Sequence, residues 1–564
     1  MGRFRLGAGF VIGSLLMSMA VGASMAGGGA DPRARQFIQV YEASIRPLEI
    51  EVARRWWTAN VSGKEEDYRL KEEAENELNA KLSDPEAFEE LKAIRTGKPS
   101  DPQVARQIEV LYLQYLACQL DPALLKQMTA KSNAVERAFN TYRAKYNGRQ
   151  LTDNDVRRVL RESKDQAERR GVWEASKGVA RVVEADLKQL VRLRNEAAHR
   201  LGFKNFHVMQ LALVEQSQEQ VLKLFDDLDR LTREPFLAAK ARIDAELAGT
   251  YGIGAAQLRP WHYHDAFFQE VPLTTKQAGR EKIYAKLDIL RLCRDYYAGI
   301  GLPIDDVLGR SDLYERPGKN PHAFSTDIDR EGDVRVLANI VPDRQWLSTM
   351  LHELGHAAYS KYLPRELPYA LRTESHPLTT EGIAMMMDRF ADHAGWLAAM
   401  GVKVPEPEAF QAAAERGRRD QLLVFSRWCQ VMFRFEMALY GDPEQDLGRV
   451  WWDLVERYQG LRRPEGRHEP DYASKIHIVI APAYYHNYMM GEMFASQVHH
   501  AIARDVLAGA DPQAAVYVGH PAVGQFLRDR VFDPGRTLPW NELTRHATGA
   551  ELGVRAFAED LQGQ

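Results

Sequence analysis

From Ala34 to about Glu246 apolar residues return every three or four positions while charged residues fill the other faces, which predicts an almost wholly helical stretch. Asp101-Pro102, Asp121-Pro122 and Asn147-Gly148 read as turns between these helices, and Leu201-Gly202-Phe203 as a glycine-capped helix end. Glycine and proline then become frequent between Gly249 and Pro272 and again between Gly301 and Pro321, where loops over a cleft are expected. At Val334-Arg335-Val336-Leu337-Ala338-Asn339-Ile340 the period changes to two, so a short strand is expected. With the extended run Asn320 to Asp327 and the polar turn at Arg330-Glu331-Gly332-Asp333 it makes a hairpin, and an edge strand of that kind can accept an extended peptide as an added strand. Pro342-Asp343 breaks the strand, and the helical period resumes through Arg416–Tyr440, Leu447–Tyr458, Met489–Ile502 and a closing segment from Phe526 to Leu561. The pattern as a whole predicts a mainly α fold: one large helical domain with loops over a cleft and a small β-sheet beside the helix after Asp343.

That helix carries Met350-Leu351-His352-Glu353-Leu354-Gly355-His356. Residues four apart return to nearly the same side of a helix, so the imidazoles of His352 and His356 project together and can share one metal ion, with Glu353 facing the open coordination position. Two neutral nitrogens, a position left to water and a carboxylate beside that water are what metal-assisted hydrolysis needs. A third ligand is expected from Leu378-Thr379-Thr380-Glu381-Gly382, where Thr379 or Thr380 caps a new helix with Glu381 in its first turn. Glu374 and His376 lie close enough in sequence to be alternative ligands, and Met385 stands where an acidic partner four residues after Glu381 would support the histidines.

Composition narrows the class. Hydrophobic content of 45% and charged content of 27% are those of a globular protein, and a formal net charge of −4 over 564 residues gives no reason to expect nucleic acid as a partner. The three cysteines, Cys118, Cys293 and Cys429, sit in apolar helical sequence without ligand spacing and read as buried thiols, neither disulfide-bonded nor zinc-binding. Arg3 and Arg5 precede an apolar, small-residue run to about Ala26, which reads as a cleaved secretory signal over 1–26. The domain would then run from 27 to 564 and work in a periplasm or outside the cell, with no stable membrane insertion after cleavage.

Between Tyr472 and Tyr488 polar rings are dense, with His477, Tyr484, Tyr485, His486 and Tyr488 set around Pro482. Donors placed there could stabilise an oxyanion as it forms. Together with Trp56-Trp57-Thr58-Ala59-Asn60-Val61, His322-Ala323, the His352–His356 motif, Glu381, Trp451-Trp452-Asp453-Leu454, Tyr458-Gln459-Gly460-Leu461, Lys475-Ile476-His477, Leu538-Pro539-Trp540-Asn541-Glu542-Leu543 and Thr548-Gly549, these residues carry a resemblance. The chain resembles the angiotensin-converting-enzyme family of zinc peptidyl-dipeptidases, in a single-domain form, over nearly its full length after the leader.

The resemblance implies that the cleft of the helical domain is deep and central, and that Zn2+ is held by His352, His356 and Glu381, with Glu353 as general base and then acid. His477 and a downstream tyrosine, first Tyr488, would be donors to the tetrahedral intermediate. Lys475 with Tyr484 or Tyr485 would grip the free C-terminal carboxylate of a short peptide, and His322 and Ala323 would line that peptide. Some positions depart from the family. The interval from His356 to Glu381 is one residue longer and matches the thimet-oligopeptidase group, and the spacing from His477 to the last tyrosine is also off by one, leaving the choice among the three tyrosines open. Asn487 stands where animal members carry an arginine linked to chloride activation, and Arg462 where they carry a disulfide cysteine. The expected activity is release of C-terminal dipeptides from short peptides. The alternatives are an oligoendopeptidase of the thimet type and a non-catalytic peptide-binding protein that keeps the fold; oligomeric state is not legible.

Overall fold

The computed structural model describes residues 29–272 and 281–562, so the expected leader over 1–26 lies outside the described residues. The chain is mainly α, as its periodicity predicts: among the described residues the strands make only two small two-stranded sheets. No described helix is long and apolar enough to cross a membrane.

The N-terminal helices Ala30–Ser44, Pro85–Thr96 and Pro102–Ala117 enclose their own apolar cluster around Ile38, Tyr41, Leu91 and Leu111. Leu201, Phe203 and Leu213 pack against both this cluster and the main core, which joins the layer to the body. Three N-caps here have the Asp-Pro pattern: Asp84, Asp101 and Asp121 each accept backbone N–H groups from the first turn of their helix, with proline at the first helical position. The helical stretch is interrupted once against expectation. Ala144–Tyr146 and Arg149–Leu151 pair antiparallel, with Asn147 at φ 48 and Gly148 at φ 74 between them. Two consecutive left-handed residues make the turn that matches strand twist, so Asn147-Gly148 closes a hairpin and does not link two helices.

The second sheet is the one the pattern predicts. Phe324–Asp327 pairs antiparallel with Val334–Leu337, so the strand ends three residues earlier than the alternation suggests. Ala338 and Ile340 leave the ladder because their N–H groups bond instead to the carbonyls of Asp312 and Leu313. The Trp56–Val61 motif is what seats this sheet: Trp56 and Trp57 pack on Phe324 with ring centroids 4.3 and 6.1 Å away, and Asn60 accepts hydrogen bonds from Asn320 on both its backbone carbonyl and its side-chain oxygen.

Helices Arg344–Tyr362, Pro377–Asp388 and His486–Asp505 pack tightly in the centre because glycines let them. A Cβ on Gly355 would lie 2.8 Å from Ala384 Cα, and one on Gly382 would lie 2.8 Å from the Gly491 carbonyl oxygen and 2.6 Å from Phe494. Both are backbone collisions or ring collisions that no rotamer relieves, so the Gly355 inside the motif fixes how near the third ligand's helix can come. The three cysteines are free thiols, Cys293 and Cys429 fully buried and Cys118 half-buried.

Three buried histidines near the centre, His207, His376 and His486, each keep one ring nitrogen without a hydrogen-bond partner among the described residues. Burial pushes His207 down to about 4 and His376 to about 3, and His486 well below its ordinary value. Below the unfolded value of 6.5 the unfolded chain binds protons that the folded chain refuses, so stability falls as pH drops from about 6.5, by up to ~1.4 kcal/mol per pH unit per histidine. Thermal melts between pH 7.5 and about 4.5 should therefore show a falling midpoint that His207→Gln makes less steep. An unchanged slope would remove the histidines as the cause.

Candidate metal centre

Asp343 caps the motif helix by accepting the Trp346 N–H at 2.7 Å, and the helix runs unbroken through the motif. The geometry that i, i+4 spacing predicts is present. His352 Nε2 and His356 Nε2 stand 3.2 Å apart, and Glu381 Oε2 lies 3.5 Å from the first and 3.9 Å from the second. Among the described residues these three form the one group of His, Cys, Asp or Glu donors close enough to share an ion. Three ligands at zinc bond lengths in a tetrahedron lie roughly 3.3 Å from one another, so the donor set is already near the spacing an ion would impose.

The helix carrying Glu381 starts earlier than expected. It begins at Pro377 with His376 as its cap, the ring accepting the Leu378 N–H at 3.0 Å, so Glu381 sits in the second turn and neither Thr379 nor Thr380 is the cap. This also removes His376 from the ligand candidates, while Glu374 accepts the Thr373 hydroxyl at 2.6 Å and lies outside the donor group.

Each histidine is oriented through its other nitrogen. His352 Nδ1 bonds Asp388 Oδ2 at 2.9 Å, and His356 Nδ1 bonds Thr380 Oγ1 at 2.7 Å. Asp388 is the acidic partner that Met385 could not be. It lies seven residues beyond Glu381, two turns on and on the same face of the helix, where four would have been one turn. Such partners fix ring orientation and tautomer and raise ligand basicity. Asp388→Asn should therefore weaken metal binding about 10- to 100-fold while leaving the fold intact, readable by competition with a fluorescent chelator. An unchanged affinity would show that Asp388 does no orienting.

Electrostatics separate the four groups. Burial pushes the Glu353 carboxyl up to about 7, opposed by His352 and by a hydrogen bond from the Ser325 N–H on the edge strand. Burial drives His356 down to about 4, with the His352 charge adding to it, so its Nε2 lone pair is free to bind a metal. Burial also works against a charged His352, but Asp388 and Glu381 outweigh it and raise that ring. For Glu381 burial is likewise outweighed, by the two rings, and the carboxyl is held below its ordinary range.

The ring-dense segment sorts into two groups. Tyr484 and Tyr488, at 5.4 Å between centroids, are the pair whose hydroxyls feel the Glu381 charge. Tyr485 packs on Tyr488 as closely, at 5.3 Å, and also stands over His477 at 4.8 Å and beside Trp428 at 6.2 Å. Lys475 is 6% exposed and enclosed by Phe267, Trp428 and Tyr485, with its ammonium 5.2 to 5.4 Å from the three ring centroids. It donates to Gln269 Oε1 at 2.6 Å, and burial drives it down to about 8. His477 belongs with this second group: burial and the Lys475 charge push it down to about 4, and its Nδ1 is buried without a partner among the described residues. His322 is exposed and Ala323 half-buried, both just ahead of the edge strand whose Ser325 meets Glu353. A cavity of about 1650 Å³ has Ser348, Asp388 and Glu492 on its wall together with Asp265 and Glu270, next to Gln269; His352, His356 and Glu381 do not line it.

Among the residues of this arrangement that lie outside the sequence-based expectations are Asp388 and Gln269. The first is visible as an i+7 repeat from Glu381; the second sits in the Gly- and Pro-rich loop, where no period marks it.

Comparison with known proteins bears on both halves of the chain. Residues 30–258 match the family model of angiotensin-converting enzyme, and residues 308–563, which hold the whole donor set, match that of peptidase family M3. Angiotensin-converting enzyme of Mesocricetus auratus is 23% identical over 570 residues, covering 94% of this chain and 42% of the relative. That of Theromyzon tessulatum is 22% identical over 289 residues, 48% of this chain and 45% of its own. The angiotensin-converting enzyme-like protein Ace3 of Mus musculus is 22% identical over 446 residues, 72% and 58%. The chain thus spans about half the length of the curated relatives it matches. Both halves are similar to peptidases, and with the donor set in place the matches support a metallopeptidase of an angiotensin-converting-enzyme-like zinc peptidase family.

Proposed function

We propose that this chain is a zinc-dependent peptidase that releases dipeptides from the free C-terminus of short peptides. The observation that carries it is the convergence of His352, His356 and Glu381 within 3.9 Å of one another, with Glu353 one step round the same helix. The donor chemistry fits zinc: two imidazole nitrogens and one carboxylate, with no sulfur and no oxygen-only cage. Zinc held there would supply a water of lowered pKa and polarise the peptide carbonyl.

The protein's own groups do the rest. Glu353 takes the proton of the attacking water on its carboxylate and passes it to the departing amine. Tyr488, and Tyr484 beside it, donate a hydroxyl hydrogen to the oxygen that becomes negative as the carbonyl is attacked. Lys475, within its cage and paired with Gln269, offers the charge that a C-terminal carboxylate needs, with Tyr485 and His477 as neighbouring donors. Substrate backbone would run along Phe324–Asp327 past His322 and Ala323, an edge strand with one side paired to Val334–Leu337. The basic run ahead of the apolar stretch to Ala26 supports export to a periplasm or the extracellular space, with residues 27–564 acting as one domain.

An oligoendopeptidase is favoured by two observations, the match of residues 308–563 to the M3 model and the longer interval from His356 to Glu381. The two differ in their need for a free carboxylate. One peptide offered with a free and with an amidated C-terminus should be cleaved at least ~10-fold better when free, and Lys475→Met should erase the difference, a charged contact of this kind being worth about 1.5–3 kcal/mol. Equal cleavage of both peptides would favour the endopeptidase. A binding protein that keeps the fold would not need Glu353, which is intact.

A further inference from the structure

Between His477 and Tyr488 the chain turns through Pro482 and Ala483, and Ala483 has φ 58, a left-handed conformation that an alanine adopts only against a steric cost. The turn matters because it places two neighbouring tyrosines against Tyr488, one of them within the Lys475 cage. Tyr484 and Tyr485 both pack on Tyr488, at 5.4 and 5.3 Å between ring centroids, and Tyr485 also reaches into the cage. A right-handed residue at 483 would rotate the chain beyond it and with it both tyrosines.

One side chain outside the turn holds it. Glu436, in the middle of helix Pro407–Gly441 and 1% exposed, accepts the Ala483 N–H on Oε1 at 2.8 Å. An acidic residue this deep in an apolar helix face is costly unless something requires it. Phe433, Phe435, Leu439 and Tyr440 around it are core residues. Burial lifts its carboxyl to about 8 against the pull of the Ala483 amide and of Arg194, so near neutral pH the group is a neutral acid acting as a hydrogen-bond acceptor.

We propose that Glu436 is a positioning residue for the peptidase: its hydrogen bond to Ala483 holds the left-handed turn that seats Tyr484 and Tyr485 against Tyr488, with Tyr485 in the Lys475 cage. This rests on the peptidase function above, and the wild-type rate tests that function separately from the ratio of variant to wild type.

The test compares kcat, KM and metal content of Glu436→Met, Glu436→Gln and Ala483→Gly, alone and combined. Glu436→Met keeps the volume and removes the acceptor; kcat should fall about tenfold or more with metal content unchanged, because the donors to the oxyanion are displaced. Glu436→Gln keeps a neutral acceptor and should stay within about threefold of wild type. Adding Ala483→Gly to Glu436→Met removes the steric cost of the turn and should recover about fivefold. Tyr488→Phe should cost about 100-fold in the wild type but less than about tenfold in the Glu436→Met background, since two residues acting through one feature do not add. Crystals of Glu436→Met, which need no activity, should show residues 482–485 rebuilt and Tyr488 moved away from Glu381. Full activity in Glu436→Met, losses that multiply with Tyr488→Phe, an unmoved turn, or failure of both Glu436→Met and its Ala483→Gly double variant to fold would overturn the proposal; the last would mean the bond holds the core and not the turn.

Discussion

Glu353→Gln should bind metal as the wild type does and hydrolyse peptides on the order of 1000-fold more slowly. The substitution keeps the shape of the side chain and an oxygen for the Ser325 N–H, and it touches none of the three ligands. What it removes is a group able to take a proton and give it back. Because Glu353 serves both halves of the proton transfer, kcat should fall and KM should change little. Steady-state kinetics on one short peptide, with metal content measured on the same preparation, separates the outcomes. A variant within about tenfold of the wild type would mean that another group is the base.

His356→Ala should abolish both metal binding and activity, and should make the protein indifferent to chelators. Removing one of three ligands leaves two, and it also strips Thr380 of its partner at 2.7 Å. Metal that binds only the folded protein adds stability in proportion to the logarithm of its free concentration over its Kd, about 4 kcal/mol at a thousandfold excess. The wild type should therefore melt several degrees lower in chelator than in zinc buffer, while His356→Ala melts at one temperature in both. A chelator effect of equal size in the variant would place the stabilising metal elsewhere.

The metal centre is legible in the sequence because two rules of helix geometry nearly suffice to draw it. Spacing of four sets His352 and His356 together, and a second helix start shortly after supplies Glu381. The exact start is harder to see because threonines are familiar caps, whereas here His376 caps with its ring and Pro377 occupies the first position, a pattern that proline alone signals. Asp388 escapes a search for the acidic partner one turn after Glu381, because it lies two turns on. The hairpin at Asn147-Gly148 escapes for a different reason: strands of three residues carry too little alternation to interrupt a helical pattern, though the dipeptide itself announces the turn.

What the sequence could not sort was Tyr484, Tyr485 and Tyr488. Their roles depend on the handedness of a single alanine, and alanine carries no signal for a left-handed conformation; the side chain that stabilises it, Glu436, is 47 positions away in another helix. Gln269, which meets Lys475 across the fold, is invisible for the same reason. Tertiary contacts between a loop and a helix leave no period in either.

Diffraction data collected at the zinc absorption edge from crystals of the metal-loaded wild type test the central claim most directly. One strong anomalous peak is expected, about 2.0–2.2 Å from His352 Nε2, His356 Nε2 and a Glu381 carboxylate oxygen. A fully loaded crystal with no peak there, or with its peak beyond reach of Glu381, would contradict it.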